Sequence, residues 1–140
     1  MYPAETLFLI VDDTALMRNI VKNTLIEMGY TKVLEAVDGF TALVILENQM
    51  LKNDPVQFII SDWNMPGMTG LELLKQCTET LEFTNIPFIL VTAEGSQQHI
   101  IQAAKVGVSD YILKPFTFEK IKEKLERVYK KRHPFPKSPN

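Results

Sequence analysis

Short apolar runs and longer stretches of helical period alternate along the chain. The runs Leu7 to Val11, Val33 to Ala36, Phe58 to Ser61, Phe88 to Thr92 and Tyr111 to Leu113 are too short for stable isolated helices and read as strands. Between them lie segments with three- and four-residue spacing. From Ala15 to Met28, the residues Met17, Ile20, Val21, Leu25 and Met28 form such a stripe, and Gly29 follows as a C-terminal cap. Phe118, Ile121, Leu125 and Val128 form another at the far end. Thr69 with Glu72 three residues on is a capping box, and Ser96 and Thr117 are single-residue N-caps. Strands such as Phe58-Ile59-Ile60 and Phe88-Ile89-Leu90-Val91 do not alternate with polar residues, as expected where helices cover both faces of a parallel sheet. Five β-α units of this kind predict a doubly wound, five-stranded α/β fold.

Composition narrows the class without naming a function. With 140 residues, 46% hydrophobic, 23% charged and 9% aromatic, the chain is an ordinary soluble domain and not a disordered, collagenous or coiled-coil protein. One core is expected, over residues 1–131, followed by a basic, proline-rich flexible tail at 132–140 where His133-Pro134-Phe135-Pro136 cannot continue a helix. One cysteine, Cys77, and two histidines, His99 and His133, supply neither a disulfide nor a zinc site, which fits a reducing, cytoplasmic setting. No apolar run approaches the roughly 20 residues of a membrane helix, and Met1 to Thr6 is no signal peptide.

Net charge is -2 but uneven: residues 1–113 carry 6 basic and 14 acidic groups, and 114–140 carry 9 basic and 3 acidic. The basic groups of the last helix alternate with Glu119, Glu123 and Glu126, the pattern of a solvated helix and not of a nucleic-acid surface.

Chemistry is expected where the strands end, because ligands of open parallel sheets bind beyond the carboxyl edge. The first strand ends in Asp12-Asp13, the third in Asp62, the fourth in Thr92-Ala93-Glu94 and the fifth in Lys114-Pro115. Crowded carboxylates call for a cation, and an oxygen-only set suits Mg²⁺ with open positions for phosphate oxygens. A carboxylate can also be the nucleophile, giving an aspartyl phosphate, with Thr92 donating to one phosphoryl oxygen and Lys114 pairing with another. Taken singly, each residue reads equally as a helix cap or turn former. Their joint placement after three central strands favours the site.

The stretch Ser61-Asp62-Trp63-Asn64-Met65-Pro66-Gly67-Met68-Thr69-Gly70-Leu71-Glu72-Leu73-Leu74-Lys75 resembles the receiver domain of two-component response regulators, in particular the stand-alone regulators of chemotaxis. Val11-Asp12-Asp13, Glu35-Ala36, Asp38-Gly39, Val91-Thr92-Ala93-Glu94 and Lys114-Pro115-Phe116 match as well, so the resemblance spans about Leu7 to Tyr129. It implies strand order 2-1-3-4-5, the known order of the chemotaxis regulators, which periodicity alone does not give. It implies Asp62 as phosphoacceptor, Mg²⁺ held by Asp13, Asp62 and the Asn64 carbonyl, and Asp12 acting through water. Thr92 becomes the switch hydroxyl, Lys114 the phosphate-pairing lysine in a cis Lys114-Pro115 bond, and Tyr111 the aromatic that changes rotamer. Asn64 and Glu94 tune dephosphorylation. Ile100, Val108, Tyr111, Lys124 and Arg127 match the partner face.

Implied partners are a histidine kinase, the flagellar motor switch and a phosphatase, for a monomer that is expected to bind no nucleic acid and not to insert in a membrane. A phosphate-sink or relay receiver would share every site residue. A dehalogenase-type phosphatase would separate its two Asp by one residue, and a flavodoxin phosphate loop would be repelled by Asp12-Asp13. The segment Leu46 to Gln57 is about five residues longer than the family pattern, as a surface loop tolerates. Cys77 is expected in or near the core, neither histidine is expected to bind metal, and Trp63, turned away from the pocket, is expected on the surface.

Overall fold

The structure, a computed structural model, describes residues 2–93 and 95–133. Its elements run β1 (Phe8–Val11), α1 (Ala15–Glu27), β2 (Val33–Ala36), α2 (Gly39–Leu51), β3 (Phe58–Asp62), α3 (Gly70–Thr78), β4 (Phe88–Thr92), α4 (Gln97–Val106), β5 (Asp110–Leu113) and α5 (Phe118–Arg132). All four strand pairings are parallel, in the order β2-β1-β3-β4-β5.

Alternate residues of each strand enter opposite layers, since successive side chains point to opposite faces. Leu9 and Val11 of β1, Ile59 of β3, and Phe88 and Leu90 of β4 join Ala42 and Leu46 of α2, Leu73, Leu74 and Cys77 of α3, and Ala103 of α4. Phe8, Ile10, Phe58, Ile60, Ile89 and Val91 go the other way, against Val21 and Leu25 of α1 and Ile121, Leu125 and Val128 of α5. Both sides of the central strands are therefore buried, which is why their sequences do not alternate.

Helix ends follow the sequence signals. Met28 caps α1 and Gly29, at φ +98°, turns the chain out, with Gly29 N–H donating to Ile26 O and Tyr30 N–H to Leu25 O at 2.9 Å each, a Schellman arrangement. Thr69 and Glu72 form the reciprocal capping box on α3, and Ser96 and Thr117 cap α4 and α5. Asp38, whose side chain accepts from Thr41 N–H at 2.7 Å, caps α2 and is not among the expected caps. Thr69→Ala removes half of the capping box and is expected to lower stability by about 1 kcal/mol, read by urea denaturation.

Three expectations change. Helix α2 continues to Leu51, so much of the long Leu46 to Gln57 segment is helix, and only the connection after it, with Asn53 at φ 60°, is loop. Helix α5 continues to Arg132, one residue past the expected boundary, and residues 134–140 of the expected tail lie outside the described residues. Trp63 is 7% exposed and sits in the α2–α4 layer. Turning away from the pocket sends it into the opposite core layer, because a strand covered on both faces has no solvent side.

Candidate functional site

Register brings the acidic residues together. Val11 lies opposite Ser61, so the residues that follow them, Asp12 and Asp62, emerge side by side at the carboxyl edge. Asp12 and Asp62 are each 6% exposed, whereas Asp13 is exposed at the rim. One carboxylate oxygen from each of the three lies within 4.8 Å of the others. Lys114, just beyond β5, extends its Nζ to Asp62 Oδ1 at 3.0 Å. The Lys114-Pro115 peptide is cis, as the resemblance implies. Thr92 is buried at the end of β4, and its carbonyl accepts from Lys114 N–H at 2.8 Å, fixing the lysine beside it.

Helix α3 is seated tightly on this edge. Gly70 N–H donates to Trp63 O at 2.8 Å, and the Gly70 α-carbon lies so close to the Asp62 carbonyl that a β-carbon there would collide with it. Trp63 in turn packs its ring on His99 of α4, centroids 5.1 Å apart, while His99 Nδ1 lies 2.7 Å from Ser96 Oγ. The residue after Asp62 thus connects the pocket to the first turn of α4.

Burial raises the Asp62 carboxyl above its ordinary range; Lys114 opposes the rise, and the charges of Asp12 and Asp13 add to it. An acid whose pKa is raised by folding stabilises the fold only while protonated. Without metal, the Asp62 contribution is therefore present below the ordinary value of 3.8 and lost as pH rises through the raised folded value. Asp62→Asn removes this loss. The difference between the two proteins' melting temperatures, measured in chelator from about pH 3 to 8, is expected to grow with pH and then level off.

Three oxygen donors, two of them buried, with a single ammonium beside them, fit a hard divalent cation such as Mg²⁺ better than a bare charge cluster. The arrangement is chemically competent for attack by a carboxylate on a phosphoryl group: a nucleophilic oxygen, acids to hold a cation, a cation to meet developing charge, and a buried hydroxyl.

Of the remaining candidates, Asn64 is exposed in the loop after β3, and Glu94 lies outside the described residues. Ile100 and Val108 are half-buried on and after α4, and Tyr111 is half-buried on β5. Lys124, expected on the partner face, has its side chain largely covered. It is 9% exposed, its Nζ is 3.3 Å from buried Asp110 Oδ1, and it lies 4.9 Å from the Tyr111 ring centroid. Arg127 Nε, more exposed, is 3.7 Å from the other Asp110 oxygen. Tyr111, Lys124 and Arg127 do converge, but around Asp110. Cys77 is buried in the core, which pushes its thiol up to about 12 and makes it unreactive.

Sequence reasoning misses two residues: Gly70, and Arg18 of α1, whose Nη1 donates to the Asp12 carbonyl at 2.8 Å. Gly70 stands beside a legible helix cap, which hints at a special position; Arg18 carries no local signal. No described helix is long and apolar enough to cross a membrane.

The family model of the response regulator receiver domain matches residues 8–126. Chemotaxis protein CheY-3 of Vibrio cholerae is 46% identical over 123 residues, 88% of this chain and 91% of that protein. The chemotaxis protein CheY homolog of Campylobacter jejuni is 48% identical over 120 residues, 86% of this chain and 89% of that protein. The solved structure of Vibrio cholerae CheY4 superposes with a TM-score of 0.78 at 34% identity, covering 89% of this chain and 99% of that one. With the parallel 2-1-3-4-5 sheet and the acidic pocket at its carboxyl edge, these matches show that the chain belongs to the response regulator receiver family and closely resembles its CheY chemotaxis regulators.

Proposed function

We propose that the protein is a stand-alone response regulator that accepts a phosphoryl group on Asp62 from a histidine kinase and thereby switches a partner-binding face, in chemotaxis at the flagellar motor. The observation that carries this reading is the burial of Asp62 between Asp12, Asp13 and the Lys114 ammonium. Asp13 and Asp62 through their side chains, Asn64 through its carbonyl and Asp12 through water are the residues that would hold Mg²⁺. When bound, that ion offsets charge between the carboxylates and the incoming phosphoryl oxygens.

An ionised Asp62 oxygen attacks phosphorus, the bond to the donor's imidazole nitrogen breaks, and its electron pair leaves on that nitrogen. Lys114 then pairs with a phosphoryl oxygen and the Thr92 hydroxyl donates to another, dispersing about two added negative charges. Thr92 ends β4 and Lys114 follows β5, beside the α4–β5–α5 face, where Tyr111, Ile100, Val108, Lys124 and Arg127 form the partner surface. Water attack at phosphorus returns Asp62 and inorganic phosphate, at a rate tuned by Asn64 and Glu94. The site self-dephosphorylates and performs no further turnover, and a phosphatase is a natural third partner for a cytoplasmic monomer.

Incubation with a phosphohistidine donor is expected to give a Mg²⁺-dependent, hydroxylamine-labile label on Asp62. The labelled protein, and not the unlabelled one, is expected to be retained by a flagellar switch protein. A label without retention identifies a phosphate sink or relay; no label overturns the reading.

A further inference from the structure

We propose that Arg18 is a positioning residue for the acidic pocket, holding the Asp12 main chain so that the Asp12 and Asp13 carboxylates stay directed at Asp62. The proposal rests on the metal-binding reading of that pocket. Three of the four polar atoms of Asp12 are fixed. Its N–H donates to Ala36 O at 3.1 Å, its carbonyl accepts from Arg18 Nη1 at 2.8 Å, and its Oδ1 accepts from Thr14 N–H at 2.9 Å and from Thr14 Oγ1 at 3.0 Å.

Arg18 is itself held. Its Nε donates to Glu35 Oε1 at 3.2 Å, and Lys22, one turn further along α1, reaches Glu35 Oε2 at 3.4 Å. The guanidinium therefore spans from the end of β1 to β2, using two donors set at a fixed angle, while its side chain is only 15% exposed. An apolar chain makes neither contact, and a lysine presents one nitrogen where the guanidinium presents two in a fixed fork. Partners that orient metal-holding residues in this way usually change metal affinity when removed.

The sign of the effect separates positioning from simple charge. Arg18 is a cation beside an acidic pocket, so as a mere counter-charge its removal would tighten divalent-ion binding. As a positioning residue, its removal loosens Asp12 and weakens binding. The experiment counts free Mn²⁺ by electron paramagnetic resonance during titration of the full chain, wild type against Arg18→Met and Arg18→Lys, with Mg²⁺ competition and a thermal melt of each variant.

Arg18→Met is expected to raise the Mn²⁺ dissociation constant about tenfold, and Arg18→Lys to raise it as well, although the charge is kept. Equal or tighter binding by Arg18→Met, or unchanged binding by Arg18→Lys, in folded protein overturns the positioning role and leaves the metal reading standing. Failure of the wild-type chain to bind Mn²⁺ or Mg²⁺ overturns both.

Discussion

Asp62→Asn is expected to abolish covalent labelling by acetyl phosphate and by a phosphohistidine donor while leaving the fold intact. The amide has the shape of the carboxylate but no anionic oxygen to attack phosphorus, so the loss is complete and not graded. Folding does not suffer, since Asp62 is 6% exposed among two other acids and burial already disfavours its charge. At neutral pH and without metal, the variant melts no lower than the wild type. Intact-mass spectrometry gives the label, and a melt on the same sample shows that the loss is chemical and not structural. Residual labelling at full stoichiometry would place the acceptor elsewhere.

Gly70→Ala is expected to be the most damaging single-methyl substitution near the pocket. An added β-carbon would collide with the Asp62 carbonyl and come within 2.9 Å of Leu90 Cδ2. Both neighbours belong to central strands, so relief requires moving α3 off the sheet or displacing the end of β3. Overpacking of this kind costs about 3 kcal/mol. Urea denaturation measures it, and the labelling rate at Asp62 is expected to fall with it, because the carbonyl that must move belongs to the acceptor. Gly29→Ala is the control: φ is +98° but nothing lies within 4 Å of the new methyl, so only the backbone cost of about 1 kcal/mol applies and labelling is unchanged.

The fold is legible in the sequence because its signals are local. Helix period, the Thr69–Glu72 box and Gly29 each depend on residues within one or two turns, and the structure has them at the predicted positions. The acids of the pocket are legible for a different reason: strand ends converge in a parallel sheet, so Asp12, Asp13, Asp62 and Lys114 meet without any knowledge of side-chain geometry. Long-range pairing is not legible. Asp110, one residue before Tyr111, gathers Lys124 and Arg127 from the helix that follows and draws Lys124 inward. Arg18 meets Asp12 and Glu35 across three elements. The expectation for Trp63 fails because alternation tells which face a residue takes, not whether that face meets water.

The most direct test of a Mg²⁺-dependent phosphoacceptor pocket is fluorine NMR of beryllofluoride, a tetrahedral phosphoryl mimic, added to the protein with and without Mg²⁺. Protein-bound fluorine signals that appear only with Mg²⁺, saturate at one site and vanish in Asp62→Asn are the predicted result. Absence of bound signals in the folded wild-type protein at saturating Mg²⁺ would contradict it.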